Sequence, residues 1–252
     1  MRFGIISDVH GNLEALRTVH KELERYGCDK ILCLGDIVGY GPCPNECIDF
    51  LRENAIFAIK GNHDHYVNCS PETAARLEIS EIALRAMTWT REVVRAENAD
   101  WLRQLPFTFC SDDITFLHAA IDTVDGEYWP YIFDAQAAMF HFYFQETTVA
   151  FFGHIHVPLL FACNGHGNQT SVYMEKLKKR HLKLSGEHRF LINPGSVGQP
   201  RNADNRSCAI IFDSDSGEIE PLMVEYDIFA TCKLILAAGL PEELAFRLIK
   251  GC

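Results

Sequence analysis

The stretch Arg2-Phe3-Gly4-Ile5-Ile6-Ser7-Asp8-Val9-His10-Gly11-Asn12 sets a short apolar strand directly against two metal-competent side chains. The apolar run ends in polar Ser7-Asp8. Asn12 is then placed to cap a helix on which Leu13, Leu16, Val19, His20 and Leu23 recur at helical spacing. Lys30–Leu34 predicts a second strand and Asn45–Glu53 a second helix, after a turn rich in Gly and Pro. Ala55–Lys60 predicts a third strand that closes on Gly61. This β-α-β-α-β alternation predicts a parallel sheet with right-handed crossovers.

The same device recurs along the chain. Apolar runs end in Gly35-Asp36-Ile37-Val38-Gly39, Gly61-Asn62-His63-Asp64, Leu117-His118-Ala119 and Gly153-His154-Ile155-His156. Ligands of an open α/β sheet bind beyond the strand C-termini, so five such endings predict one shared pocket. The two-residue offsets of Asp8-x-His10 and His154-x-His156 on an extended backbone would point both side chains of each pair the same way. Asp36, with two carboxylate oxygens, is suited to bridge two cations. A lone Asp after a strand is usually a turn former or a cap. Two carboxylates, one amide and four imidazoles in this arrangement point to metal ligation and to phosphate-ester chemistry. His20, His65, His141, His166, His181 and His188 lack such a context and read as hydrogen-bonded structural histidines.

From about Pro71 to Leu105 the pattern is helical. Ile79, Ile82, Ala83, Ala86 and Met87 lie on one apolar face, and a second helix is stopped by Pro106. The expectation is a single domain over residues 1–252, with this excursion at about 71–105 walling the site. Beyond Pro158, short strands separated by Gly, Asn and Asp turns predict an antiparallel sheet packed on the first. Lys176–Lys183 carries six basic residues and reads as a solvated strand or hairpin. Terminal helices are expected over Phe229–Gly239 and Pro241–Lys250.

Composition narrows the partners. The chain has 252 residues, 48% hydrophobic and 23% charged, and a net charge of −11. That charge argues against polymeric nucleic acid, which needs a basic surface, but not against a small phosphate ester met by two local cations. No apolar run is long enough for a membrane span. Ten cysteines without a C-x-x-C pair read as structural thiols of a reducing compartment. The N-terminus lacks a signal-peptide layout, and a cleaved leader would carry off the first ligands, so a cytoplasmic protein is expected. Homo-oligomers are left open.

The ordered series of motifs resembles the calcineurin-like metallophosphoesterase superfamily over nearly the whole chain. Gly35-Asp36-Ile37-Val38-Gly39-Tyr40-Gly41-Pro42 and Asn193-Pro194-Gly195-Ser196-Val197-Gly198-Gln199-Pro200-Arg201 are similar to its bacterial and archaeal branch of small, diadenosine-tetraphosphatase-like phosphodiesterases. The resemblance implies an α/β (α+β sandwich) fold of four layers, two mixed β-sheets flanked by helices. It implies one metal on Asp8, His10 and His156, a second on Asn62, His118 and His154, and Asp36 as the bridge. His63 would face the phosphate, stabilising charge or protonating the leaving oxygen, with Asp64 orienting it and keeping it cationic. Asn12, Tyr40 and Arg201 are candidate substrate contacts. Ala119-Ala120 after His118 departs from a common Gly, which bears on local shape. The reaction implied is hydrolysis of a phosphodiester, of a nucleotide or dinucleoside polyphosphate among others, by hydroxide from a water shared between two cations. Mixed N and O ligation suits Mn, Fe, Zn, Co or Ni, with Mn the leading expectation. The alternatives are a phosphomonoesterase or protein phosphatase on the same site, a non-catalytic scaffold, and a repair nuclease. The scaffold is disfavoured by the presence of all seven ligands and His63, and the nuclease by the charge.

Overall fold

Strands that are buried at the centre and more exposed at the edges stack into two mixed six-stranded sheets in a computed structural model of the chain. The structure describes residues 1–70, 79–121, 123, 126, 128–165, 170–178, 181–184, 186 and 188–252. Residues 71–78 of the helical excursion, His166, and Lys179 and Arg180 of the basic run lie outside them.

In the first sheet β1 (Arg2–Ile6), β2 (Lys30–Cys33) and β3 (Phe57–Ala58) are parallel, as their helical crossovers predict. In the second, β4 (Thr108–Ser111) pairs with β5 (Ile114–Leu117), which runs parallel to β6 (Val149–Phe151). β7 (Leu159–Asn164), β8 (Ser171–Lys176) and β10 (Arg189–Asn193) complete this sheet in the order β4-β5-β6-β10-β7-β8. The later strands do not form a sheet of their own. β11 (Ser207–Asp213) and β12 (Glu218–Val224) return to the first sheet, β11 lying antiparallel to β1 with Ile5 opposite Ile210. The first sheet reads β3-β2-β1-β11-β12-β9, where β9 is Leu182–Lys183. The basic run therefore leaves the edge of one sheet and joins the edge of the other. A strand's own pattern reports how it is buried, not which strand it pairs with.

Four phenylalanines fasten the sheets face to face. Phe3 meets Phe116 at 6.4 Å and Phe212 at 6.4 Å, while Phe151 meets Phe116 at 5.8 Å and Phe212 at 5.3 Å between ring centroids. They belong to β1, β5, β6 and β11, and three of those strands end in candidate ligands. Burying each ring contributes roughly 1.5–3 kcal/mol and sets the depth at which the strand ends emerge. Outside the first sheet, α1 (Leu13–Arg25) and α2 (Pro44–Glu53) supply Leu16, Val19, Ile48 and Leu51 to a second apolar cluster. α3 (Asn62–Tyr66) opens beside the strand ends. α4 (Glu81–Val93) and α5 (Ala96–Gln104) join the α1–α2 cluster through Met87 and Leu102. α6 (Ala135–Phe144) covers the second sheet through Ala138 and Phe142. α7 (Ile228–Ala237) and α8 (Glu242–Lys250) pack on Ala86 of α4. Among the described residues no helix is long and apolar enough to cross a membrane.

Candidate metal centre

Asp8 and His10 follow β1, Asp36 follows β2, Asn62 and His63 open α3, His118 follows β5, and His154 and His156 follow β6. All are buried. The backbone that presents them is not extended. Asp8, His10, Asp36, His154 and His156 have φ of 53°, 48°, 52°, 68° and 58°, and Tyr40 has 59°. Each left-handed non-glycine residue costs about 1–3 kcal/mol, which the surrounding loops must offset. Asp8 N–H donates to Gly35 O at 3.0 Å, His10 N–H to Asp36 O at 2.8 Å and Gly198 N–H to Asp8 O at 2.9 Å. Ser196 Oγ also donates to Asp8 O, at 2.8 Å. The Ser196–Gly198 segment thus braces the first ligand loop. The pairs Asp8/His10 and His154/His156 converge through these tight turns and not through strand alternation.

The histidine rings are held from behind. His10, His118 and His156 each direct Nδ1 at a backbone carbonyl: Val38 O at 3.0 Å, Leu34 O at 2.7 Å and Gln199 O at 2.7 Å. A carbonyl only accepts, so each Nδ1 carries a proton and Nε2 is turned inward. His10 Nε2 and His156 Nε2 stand 3.1 Å apart, and His156 Nε2 is 3.2 Å from Asp8 Oδ1. Asp36 Oδ2 lies 3.7 Å from His10 Nε2 and 3.4 Å from His118 Nε2, which is itself 3.2 Å from Asn62 Oδ1. His154 Nε2 faces Trp129 O at 3.2 Å, which leaves Nδ1 as its accepting nitrogen. Asp8, His10, Asp36 and His156 bring one ligand atom each within 4.8 Å of one another, and so do Asp36, His118 and His154. Asp36 belongs to both sets.

This donor set fits two divalent ions. Facing imidazole lone pairs of His10 and His156 repel unless a cation lies between them, and Asp8 and Asp36 supply negative charge beside them. Burial pushes the Asp8 and Asp36 carboxyls up, but the facing imidazoles, His156 for Asp8 and His118 for Asp36, outweigh it and hold both below the ordinary range. Burial lowers His118 as well, yet Asp36 raises it to about 9, a sign of how strongly this cluster draws positive charge. Burial keeps His10 and His156 neutral and lowers His154 to about 3.

His63 joins the site without joining either set. Its ring lies 4.9 Å from that of His10 and 4.6 Å from that of Tyr40. Its Nδ1 is buried without a partner, against Gly39, whose φ of 86° and missing Cβ make the space the ring occupies. Burial lowers His63 to about 4, so the ring is neutral and not the cation expected from its neighbour Asp64. Asp64 faces elsewhere. It accepts from Ile37 N–H at 2.9 Å, Val38 N–H at 3.2 Å and Gly61 N–H at 3.0 Å, tying the Asp36 loop to the Asn62 loop. Its carboxyl, raised to about 7 by burial and by Asp36, is a brace between ligand loops.

Asn12 is also structural. Its Oδ1 accepts from Ala15 N–H at 3.2 Å and Thr231 Oγ1 at 3.0 Å, and its Nδ2 donates to Gly198 O at 3.0 Å and Tyr226 OH at 3.1 Å. Both lone pairs and both protons are used, which leaves nothing for a phosphate. Asn12→Ala is expected to cost about 2 kcal/mol of stability through the lost cap and its orphaned partners, with KM unchanged; denaturant unfolding beside steady-state kinetics checks this. Tyr40 and Arg201 do reach the site. The Arg201 guanidinium lies 5.8 Å over the Tyr40 ring and donates to Gln199 Oε1 at 3.0 Å, and Tyr40 packs 4.8 Å from His10.

Tyr128-Trp129-Pro130-Tyr131-Ile132-Phe133 carries no metal-competent motif, yet Trp129 and Tyr131 line the centre. Trp129 supplies the carbonyl behind His154, and its ring lies 5.7 Å from that of His118. The Tyr131 ring stacks on His154 at 4.2 Å. Four aromatic residues in six, in a segment that reads as neither strand nor helix, is the signal that marks it.

A fold of two mixed sheets with buried His/Asp clusters at the strand ends defines a metal-dependent phosphoesterase class. The family model of the calcineurin-like phosphoesterase superfamily domain matches residues 1–217, and the chain belongs to that superfamily. An uncharacterized protein of Methanocaldococcus jannaschii is 36% identical over 252 residues, 98% of this chain and 97% of that one. The crystal structure of a metallophosphoesterase from Sphaerobacter thermophilus is 35% identical with a TM-score of 0.83, covering 100% of this chain and 99% of the other. A hypothetical protein from Pyrococcus horikoshii shares the fold at 21% identity, with a TM-score of 0.78 over 100% of this chain and 98% of its own.

Proposed function

We propose that the chain hydrolyses phosphodiester bonds, those of nucleotides or dinucleoside polyphosphates included, at a centre holding two divalent ions, manganese first among them. The observation that carries this reading is Asp36, whose carboxylate is shared by two buried sets of ligands. Asp8, His10 and His156 would hold one ion, Asn62, His118 and His154 the other, and Asp36 both. When bound, the ions supply Lewis acidity and a water activated for attack near neutral pH.

The chain's own residues shape the rest. The carbonyls of Val38, Leu34 and Gln199 fix the tautomers of three ligand rings before any ligand arrives. His63, neutral and outside both ligand sets, stands beside His10 as the hydrogen-bond donor for a phosphoryl or leaving oxygen. Arg201, over Tyr40, offers fixed positive charge to a second phosphate or to the far side of the ester.

The test is to strip the protein with chelator, restore one metal at a time, and screen bis-aryl phosphate, aryl monophosphate, 2′,3′-cyclic nucleotides and diadenosine tetraphosphate. The stripped protein is expected to be inactive, with turnover of diesters above monoesters recovered best by Mn²⁺. Activity that survives stripping would sink the dimetal reading, and a preference for aryl monophosphate would move the chain to the phosphomonoesterases.

A further inference from the structure

Exposed aromatic side chains are ordinary when scattered singly. Those beside His154 are not scattered. The Tyr131 ring stacks on the His154 imidazole at 4.2 Å with 20° between planes, and Phe133 stacks on Tyr131 at 5.5 Å with 8° between planes. The three rings form a nearly parallel ladder that begins at a member of the metal-binding cluster and ends in solvent. Tyr131 remains 53% and Phe133 50% exposed, so the outer rungs offer ring surface that nothing in the described chain covers. Tyr131 also lines a cavity of about 360 Å³, whose other walls include Tyr128, Pro130, Ile132 and Phe140. The stack on His154 places the inner rung of the ladder against the centre itself.

A ladder of parallel rings is completed by one more planar ring. Aliphatic groups gain burial on such a surface but no stacking, while every nucleobase has a π-face. We infer that Tyr131 and Phe133, with the cavity beside Tyr131, seat the nucleobase of a nucleotide ester whose phosphate lies at the metal centre. This rests on the phosphoesterase reading above and narrows its substrates to those carrying a base next to the scissile phosphate. Tyr131 and Phe133 are specificity-determining residues; they move no proton and hold no metal.

The experiment compares AMP with ribose 5-phosphate, which differ by the base, in calorimetric titrations of the manganese-loaded full chain. Wild type is expected to bind AMP about tenfold more tightly than ribose 5-phosphate, the lower range for stacking one base on an aromatic side chain. Tyr131→Phe should keep that ratio. Tyr131→Leu and Phe133→Ala should each reduce it to about threefold or less, with ribose 5-phosphate affinity and metal content unchanged. Phe133→Ala leaves His154 untouched, so it answers even if Tyr131→Leu disturbs that ring. Equal affinity of wild type for the two compounds, absence of AMP binding at millimolar concentration, or an undiminished ratio in Phe133→Ala would each overturn the inference. The two readings separate cleanly. Base-dependent AMP binding without hydrolysis of any diester refutes the proposed reaction and leaves the base seat standing. Diester hydrolysis with no preference for AMP refutes the seat alone.

Discussion

Asp36→Asn is expected to lower phosphodiester turnover by on the order of 10³-fold, with bound metal falling from about two ions per chain to one or fewer. Asp36 Oδ2 faces His10 and His118, while Oδ1 accepts the His63 N–H at 2.8 Å. Asparagine keeps the shape and one acceptor, so the α3 turn should persist and the folded chain should survive. What disappears is the negative charge common to both ligand sets. In wild type that charge lifts His118 to about 9 against the pull of burial, so its removal should lower His118 as well. Metal analysis, far-ultraviolet circular dichroism and turnover on one preparation check this together. Full activity with two ions bound would refute the bridging role.

His63→Gln should separate chemistry from metal binding. Its ring lies outside both ligand sets and is neutral, its pKa lowered to about 4 mainly by burial. The variant is expected to keep two ions and near-normal KM while kcat falls by roughly 10²–10³-fold, the usual scale for losing one preorganised hydrogen-bond donor. The leaving group provides the finer measurement. If His63 delivers a proton to the departing oxygen, the loss grows as that group becomes more basic, from nitrophenolate to an alkoxide. A loss of equal size for every leaving group would restrict His63 to stabilising charge on the phosphoryl oxygens. Unchanged kcat would remove it from the chemistry.

How far the fold was legible depends on how local its causes are. The apolar run of β1, the cap at Asn12 and the spacing of Leu16, Val19 and Leu23 are local, and strand and helix form where they predict. Partner choice is not local. Nothing in Ser207–Asp213 says that it lies against β1 and not beside β10, because the pairing of Ile5 with Ile210 depends on how both sheets close. The further hydrogen bonds of Asn12 and those of Asp64 were not legible for the same reason. Both side chains are spent on hydrogen bonds to residues far away in sequence, Gly198, Tyr226 and Thr231 for the first, Ile37 and Val38 for the second.

The sequence by itself pointed to the Asp and His side chains of the two clusters and placed them after strands, because an apolar run broken by Asp or His is a local signal. Only the tertiary structure decided that His10 and His156, 146 residues apart, turn their Nε2 atoms to within 3.1 Å of one another. It also decided that Tyr131 stacks on His154. Such distances are set by the packing of two sheets through Phe3, Phe116, Phe151 and Phe212 and by left-handed turns that only the surrounding hydrogen bonds can hold. Neither cause is written in any short stretch of the chain.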